Sequence, residues 1–433
     1  MALTQFFIMS MGFLDTAMAG HYSASDLAGV ALGGSIMWPV FMLLSGVTLA
    51  LTPITAQLRG AGREGAVGAK LHQGIWISVI GATGIVAIMI TAGEFLAFMD
   101  IDSEVIRIAD EYLDAAAWGM PAVLVYITLR YTSEGLGKTV APMIIAGSAL
   151  ALNAVLNYAF IYGRFGAPEL GGVGCGYATS IVMWFELALM SILLTRPYFR
   201  RTNVLAKFAP PDLATIGEIL RIGIPIGISS FVGMAIFSVI SFMVATLGVV
   251  ALAAHSIAGH INWATFVIPM SIGSAASIRV GFLIGSGELE RARVVGYTAL
   301  KLALGYAVCV SVTLVVARHQ VVQLYGNDPE VLATAATLIL FIALYQIADD
   351  TQATVAGVLR GFKDTRVPMF ISLVGYWIIA LPIGAWLGFG DYGVYGFWIG
   401  LTVGLAAVAI GVSGRFWSTS RNTERIRRLA LEA

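Results

Sequence analysis

The chain has 433 residues, 58% hydrophobic and only 12% charged, with mean hydropathy +0.86 and equal numbers of acidic and basic side chains. Soluble domains carry roughly a quarter charged residues, so this composition excludes an ordinary soluble enzyme, and the zero net charge excludes a general attraction for nucleic acid. Forty-nine glycines fit closely packed membrane helices, and two cysteines, Cys175 and Cys309, imply no disulfide framework.

A bilayer-crossing helix needs roughly 20 mostly apolar residues. Such windows predict spans near 2–20, 28–57, 75–99, 112–129, 141–163, 173–195, 219–247, 251–283, 300–317, 333–358, 367–389 and 394–414. The alternating ten-residue strands of a β-barrel are absent. Residues 1–20 lack a basic leader and a small-residue cleavage site, so they read as a first spanning helix rather than a signal peptide.

Twelve spans put both termini on one side. One set of connections, from Arg59 and Arg63 through Arg130, Arg200, Lys207, Arg291 and Lys363 to Arg428, holds 22 of the 25 Lys and Arg residues. The opposite set holds only Arg107, Arg164 and Arg318, beside acids such as Asp26, Asp100, Asp102, Glu169 and Asp328. The positive-inside rule therefore places both ends in the cytoplasm.

An internal repeat divides the chain. Glu134–Met143 matches Arg360–Met369 at an offset of 226, and Leu58–Gly62 matches Leu283–Gly287 at 225. Leu27, Ala28, Gly34, Ile36 and Trp38 fall on Leu252, Ala253, Gly259, Ile261 and Trp263 at that same spacing. The reading is a six-helix lobe over 1–200, a basic cytoplasmic loop over 201–218, and a second six-helix lobe with a short basic tail over 219–433. Parallel halves of this kind usually enclose a central cleft and alternate its access.

Ionisable residues inside spans carry the chemistry, because each costs roughly 2.5–3.5 kcal/mol to insert. Asp15 lies roughly 8 Å from the outer end of span one, and Asn157 and Thr179 lie roughly 9 Å deep in spans five and six at 1.5 Å per residue. Asn153 shares the face of Asn157 one turn away. A carboxylate, two amides and a hydroxyl at one depth can coordinate a small cation or hold a protonated Asp; the plainer alternative for the neutral residues is helix-to-helix bonding. In span ten, Tyr345 lies one turn from Asp349, a second candidate proton or cation site. Asp350 points about 100° away from Asp349, and Glu186 in span six faces its own bundle or a partner. These two are weaker candidates. His255 and His260 read as structural imidazoles, and no His/Cys cluster has metal-ligand spacing.

Two strings imitate nucleotide motifs. Gly137-Lys138-Thr139 resembles the end of a phosphate loop, but Thr132 stands where its first Gly belongs and the segment joins two spans. Gly172-Val173-Gly174-Cys175-Gly176 opens span six without a strand before it, and helix packing explains it better. With no nucleotide site, no cofactor is expected and an ion gradient should supply the energy.

Several segments resemble the multidrug and toxic compound extrusion (MATE) transporters of the NorM-like branch: Met11–Gly20, Pro53–Gln57, Phe165–Gly174, Ala253–His255, Pro269–Gly273 and Leu359–Asp364. The resemblance implies twelve transmembrane helices in two pseudo-symmetric six-helix bundles around a central cleft, exporting bulky, mostly cationic or zwitterionic drugs against Na⁺ or H⁺. It implies that Asp15 is the acidic residue central to ion coupling, that Asn153, Asn157 and Thr179 line the same N-terminal site, and that Asp349 and Tyr345 form a C-terminal one. Two departures follow. Gly233 stands where a helix-seven glutamate completes the family's C-terminal cation site, and the usual longer lead with a first-helix Pro is missing, which sets the natural start upstream.

The expectation is a monomeric inner-membrane antiporter of drug-like cations, with the bilayer as its other partner. H⁺ is favoured because hydrocarbon penalises an unpaired negative charge that a proton would neutralise. Na⁺ is the alternative, using the oxygens of Asn153, Asn157 and Thr179. The rival reading is a lipid-linked oligosaccharide flippase of related architecture, whose anionic cargo should need basic residues inside the spans. An intramembrane enzyme would need a nucleophile–base or metal constellation, and none is found.

Overall fold

A computed structural model of the chain describes residues 1–96, 102–206, 208–326 and 328–431; Asp100 and Lys207, two of the loop charges, lie outside them. The described residues are helical, with no strand among them. The N-terminal elements are α1 (Ala2–Tyr22), α2 (Ala24–Thr48), α3 (Leu51–Gly60), α4 (Val67–Leu96), α5 (Ser103–Ala117), α6 (Met120–Gly135), α7 (Val140–Tyr162), α8 (Val173–Leu194) and the short α9 (Pro197–Arg200). They continue with α10 (Leu213–Ala245), α11 (Val249–Gly285), α12 (Leu289–Gln323), α13 (Pro329–Gly361), α14 (Arg366–Leu373), α15 (Leu381–Gly388), α16 (Val394–Arg421) and α17 (Thr423–Leu431).

Eleven continuous helical segments are long and apolar enough to cross a membrane, and α5 with α6, bent by 51°, makes up to twelve. The fourth span thus differs from the straight helix expected over 112–129. Asp102 caps α5 by accepting the N–H of Glu104 at 2.8 Å, and α6 restarts at Met120 with Pro121 in its first turn. A proline has no N–H to give and fits a helix start, so the break falls just before it.

The helices also overrun their apolar windows, which corrects the placing of Arg130 in a loop. It lies inside α6, 4% exposed, with Nε donating to Glu134 Oε1 at 3.0 Å. Large apolar side chains are exposed along the spans, among them Phe13, Ile80, Phe242, Val316 and Ile410, as a hydrocarbon solvent allows.

The described residues pack into two compact units, Met1–Gly227 and Ile228–Ala433, divided within α10. In the first, Met37, Leu71, Ile85, Met89 and Leu124 form the core. In the second, Ile236, Ile240, Ile339, Trp398 and Leu405 do so. The stretch before α10 is tied to α4. His72 Nε2 donates to the Val204 carbonyl at 3.0 Å, its Nδ1 accepts from the Ala209 N–H at 3.2 Å, and Gln73 bonds Pro210 and Asp212 at 3.0 and 2.9 Å.

The repeat reaches the backbone. Gly62 and Gly287, 225 apart, take φ of +70° and +81° after α3 and α11. Gly137 and Lys363, 226 apart, take +76° and +59° after α6 and α13. All four turns close alike: Arg63 N–H donates to Leu58 O, Glu288 to Leu283, Lys138 to Ser133 and Asp364 to Leu359, at 2.8 to 3.0 Å. This is the Schellman pattern that satisfies a helix's last carbonyls. Gly137 is therefore a helix stop, which disposes of the phosphate-loop imitation. At the matching position Lys363 adopts the left-handed conformation without glycine's freedom, at a cost of about 1–2 kcal/mol.

Candidate ion-coupling sites

In the N-terminal unit, α1 packs on α7 and α7 on α8. The glycines of the second motif-like string make this possible. A Cβ on Gly174 would lie 2.8 Å from the Phe160 backbone of α7, and one on Gly176 2.8 Å from the Tyr112 carbonyl of α5. At the starts of α2 and α8, Asp26 Oδ1 accepts the Gly172 N–H at 2.5 Å, which fixes the start of α8 against α2. Within this frame Asp15, 8% exposed, meets side chains from two other helices.

Asp15 Oδ1 accepts from Asn157 Nδ2 at 2.6 Å and from Asn153 Nδ2 at 3.2 Å, and Oδ2 accepts from Thr179 Oγ1 at 3.2 Å. Asn157 Nδ2 also donates to Asn153 Oδ1 at 3.2 Å, while its own Oδ1 is buried without a partner. Asn157 and Thr179, expected at the depth of Asp15, and Asn153, expected on the same helix face as Asn157, thus converge on its carboxyl. Three donors to two oxygens suit an ionised carboxylate, which only accepts. Turning the two amides over would present oxygens instead, so the same side chains can hold either a neutralised acid or a cation.

In the C-terminal unit, α13 carries the acidic pair between α11 and α12. The Tyr345 ring is 1% exposed, with its hydroxyl beside the Asp349 carboxyl and the Asn262 side chain. Asp350 is fully buried on the neighbouring face. Gln346 Nε2 donates to Asp350 Oδ1 at 2.7 Å, Gln346 Oε1 accepts from Thr265 Oγ1 at 2.9 Å, and Tyr306 donates to the Thr265 carbonyl at 2.9 Å. Asp350 Oδ2 and Asn262 Oδ1 have no partner. Asn262, Thr265, Tyr306 and Gln346 escaped the sequence reading because neutral polar residues are common in membrane helices. The spacing of Gln346 and Asp350, one turn apart, was the signal available.

The MatE family model matches residues 1–159 and 225–386, on both sides of the interlobe loop. The chain belongs to the MatE family. It is 41% identical over 408 residues to the multidrug resistance protein MdtK of Edwardsiella ictaluri, covering 93% of this chain and 89% of that one. It is 39% identical over 431 residues to MdtK of Proteus mirabilis, with 98% and 94% covered. The fold matches the crystal structure of the eukaryotic MATE transporter AtDTX14 at TM-score 0.88 and 20% identity, over 99% and 96% of the two chains. It matches the bent form of the Vibrio cholerae MATE transporter VcmN at 0.83 and 19%, over 100% and 95%. The chain is therefore a multi-pass membrane protein with the MATE transporter fold.

Within that MatE fold, Gly233 leaves open space: a Cβ there would meet only the Tyr376 ring, at 3.8 Å. Tyr376 in turn lies near Asp349. A Cβ at position 233 is thus tolerated, yet no carboxyl stands there, and the second carboxyl of this region comes from Asp350. Farther out in the same unit, His255 Nδ1 accepts from Trp398 Nε1 at 3.2 Å, which leaves Nε2 to donate to Ser241 Oγ at 3.0 Å. Trp398 packs edge-on against Tyr345 with centroids 5.8 Å apart. His255 is thereby a structural imidazole supporting the tyrosine. His260 stacks on Tyr325 at 6.2 Å. Among the described residues no three His, Cys, Asp or Glu side chains gather as a metal site.

Proposed function

We infer that this MATE-family chain is a secondary antiporter that exports amphipathic organic cations, with Asp15 taking up the coupling ion. The observation that carries the reading is the convergence of Asn153, Asn157 and Thr179 on one buried carboxyl. Such an assembly is expensive to bury and has no need of three donors from two other helices unless its occupancy changes. The names of the relatives, multidrug resistance proteins, support the cargo class.

Ion binding moves cargo only when it favours one facing state over the other. Asp15 ties α1 to α7 and α8 through bonds that require an acceptor. A proton on Oδ1 turns that acceptor into a donor, which conflicts with the two amide N–H groups now facing it and loosens that tie. A Na⁺ ion instead needs oxygens aimed at it, so both amides must first rotate. The observed donor arrangement favours H⁺. The charge asymmetry of the loops supports the reading that both termini face the cytoplasm, in a cell's inner membrane.

Proteoliposomes separate the two ions. Export of a fluorescent organic cation should follow an imposed pH difference without Na⁺. Transport driven by a Na⁺ gradient at clamped pH, with no response to a pH difference, contradicts the proton reading. Absence of transport under either gradient contradicts antiport itself.

A further inference from the structure

We propose that Glu186 is a second proton-binding site of the N-terminal unit, two helical turns beyond the Asp15 cluster on α8. Glu186 follows Thr179 by seven residues, so it shares that face at roughly 10 Å along the axis. The buried Met183 stands between them and packs against α6 at Gly119. Glu186 itself is 4% exposed, and its Oε1 is buried without a hydrogen-bond partner.

Charge arithmetic assigns the proton. The groups acting on the Glu186 carboxyl are the Tyr126 hydroxyl and the Arg130 guanidinium, both from α6. The nearby titratable group that α5 supplies, Tyr112, sits by Asp15 and Cys175 instead. Arg130 is already bonded to Glu134 at 3.0 Å, with side chains 5% and 4% exposed. One buried cation therefore faces two buried carboxyls, and if both are ionised a net negative charge is left in the core, which is strongly unfavourable. A single proton balances the set. Glu134 is occupied by Arg130, so the proton belongs on Glu186. The Tyr126 hydroxyl is also buried without a hydrogen-bond partner, and as a group that both donates and accepts it can accept from a protonated Glu186.

The site also differs from Asp15 in its surroundings. Asp15 is met by neutral donors, Glu186 by a shared cation. Its proton would be released whenever movement of α6 against α8 brings Arg130 to Glu186 or lets water in. Use of that proton in transport rests on the antiport reading; the proton site itself does not.

Infrared difference spectra of the full-length protein in lipid nanodiscs, recorded between alkaline and acid pH, test the proposal. The carboxylic-acid absorption that grows on acidification should contain a component that persists in Asp15→Asn and is lost in Glu186→Gln, while the bands of the other carboxyls remain. Glu134→Gln frees Arg130 to hold Glu186 ionised, so the midpoint of that component should move to roughly tenfold or more higher proton concentration, about one pH unit. A wild-type spectrum from Glu186→Gln overturns the proposal. So does an unmoved midpoint in Glu134→Gln, which alone decides the matter if Glu186→Gln fails to fold. A failed transport assay leaves this spectrum untouched, so the two readings fall separately.

Discussion

Asp15 holds its place because three neutral donors on two other helices reach it, so removing one should be felt as more than a lost hydrogen bond. In Asn157→Ala the shortest of the three, at 2.6 Å, disappears and the carboxylate stays buried. A buried acceptor left short of a partner costs about 1–3 kcal/mol. The expected result is a lower melting temperature in detergent, with Asn157→Asp lower still because it sets two carboxyls together. Melting curves unchanged by both substitutions would mean that the cluster does not hold the helices. These residues could be read from sequence because few polar groups lie at one depth in spans. Glu186 could be seen but not interpreted, since its meaning depends on Arg130 and Glu134, and both sit where the apolar window had already ended. The helix continues past that window because i,i+4 pairing of the two side chains satisfies them inside it.

At the scale of elements, apolar runs place nearly every helix, and the basic residues between them place the connections. What they miss is the break in the fourth span and the length of the helix ends, where charged side chains still support helical backbone. The glycine string opening α8 shows how packing sets the site. Gly174→Val places a Cβ against the α7 backbone where 2.8 Å is available. α7 and α8 must then separate, carrying Asn157 and Thr179 apart. The variant should be destabilised by several kcal/mol, as overpacked positions are, and should lose ion-driven export even at temperatures where it remains folded. Full export by a folded Gly174→Val protein would show that the spacing is not needed.

Capping adds a pH term at the same scale. Asp212, outside the membrane, caps α10: bonds from Thr215, and from the Ala214 and Thr215 N–H groups, hold its carboxyl below the ordinary aspartate value. A depressed carboxyl contributes stability above its unfolded pKa and loses it as pH falls through the folded value. Wild type and Asp212→Ala should therefore differ most in melting temperature near neutrality and converge in acid. A gap that widens on acidification would contradict the cap.

At the scale of the whole molecule, the twofold repeat relates the backbone turns but not the acidic clusters: at an offset of 225, Asp15 falls on Ile240 and Asp349 on Leu124. The backbone turns repeat closely, down to four matching left-handed residues, yet the side chains have diverged. The N-terminal unit keeps one carboxyl with neutral donors. The C-terminal unit keeps Asp349 beside Tyr345 and a second carboxyl, Asp350, satisfied through Gln346 and Thr265. Sequence comparison of the halves displays the shared turns and conceals this difference, because the offset aligns backbone positions and not the partners each carboxyl finds. With antiport as the proposed function, we propose the N-terminal carboxyl as the one that couples ion to cargo.

Proteoliposome export under an imposed pH difference, compared between wild type, Asp15→Asn and Asp349→Asn, tests that claim most directly. Asp15→Asn preserves shape and still offers an acceptor, so it should fold while its gradient-driven export falls at least about a hundredfold, equivalent to about 2.7 kcal/mol. Asp349→Asn should retain measurable export. Wild-type export from Asp15→Asn, with transport abolished in Asp349→Asn, would move the coupling site to the other unit and contradict the role of Asp15.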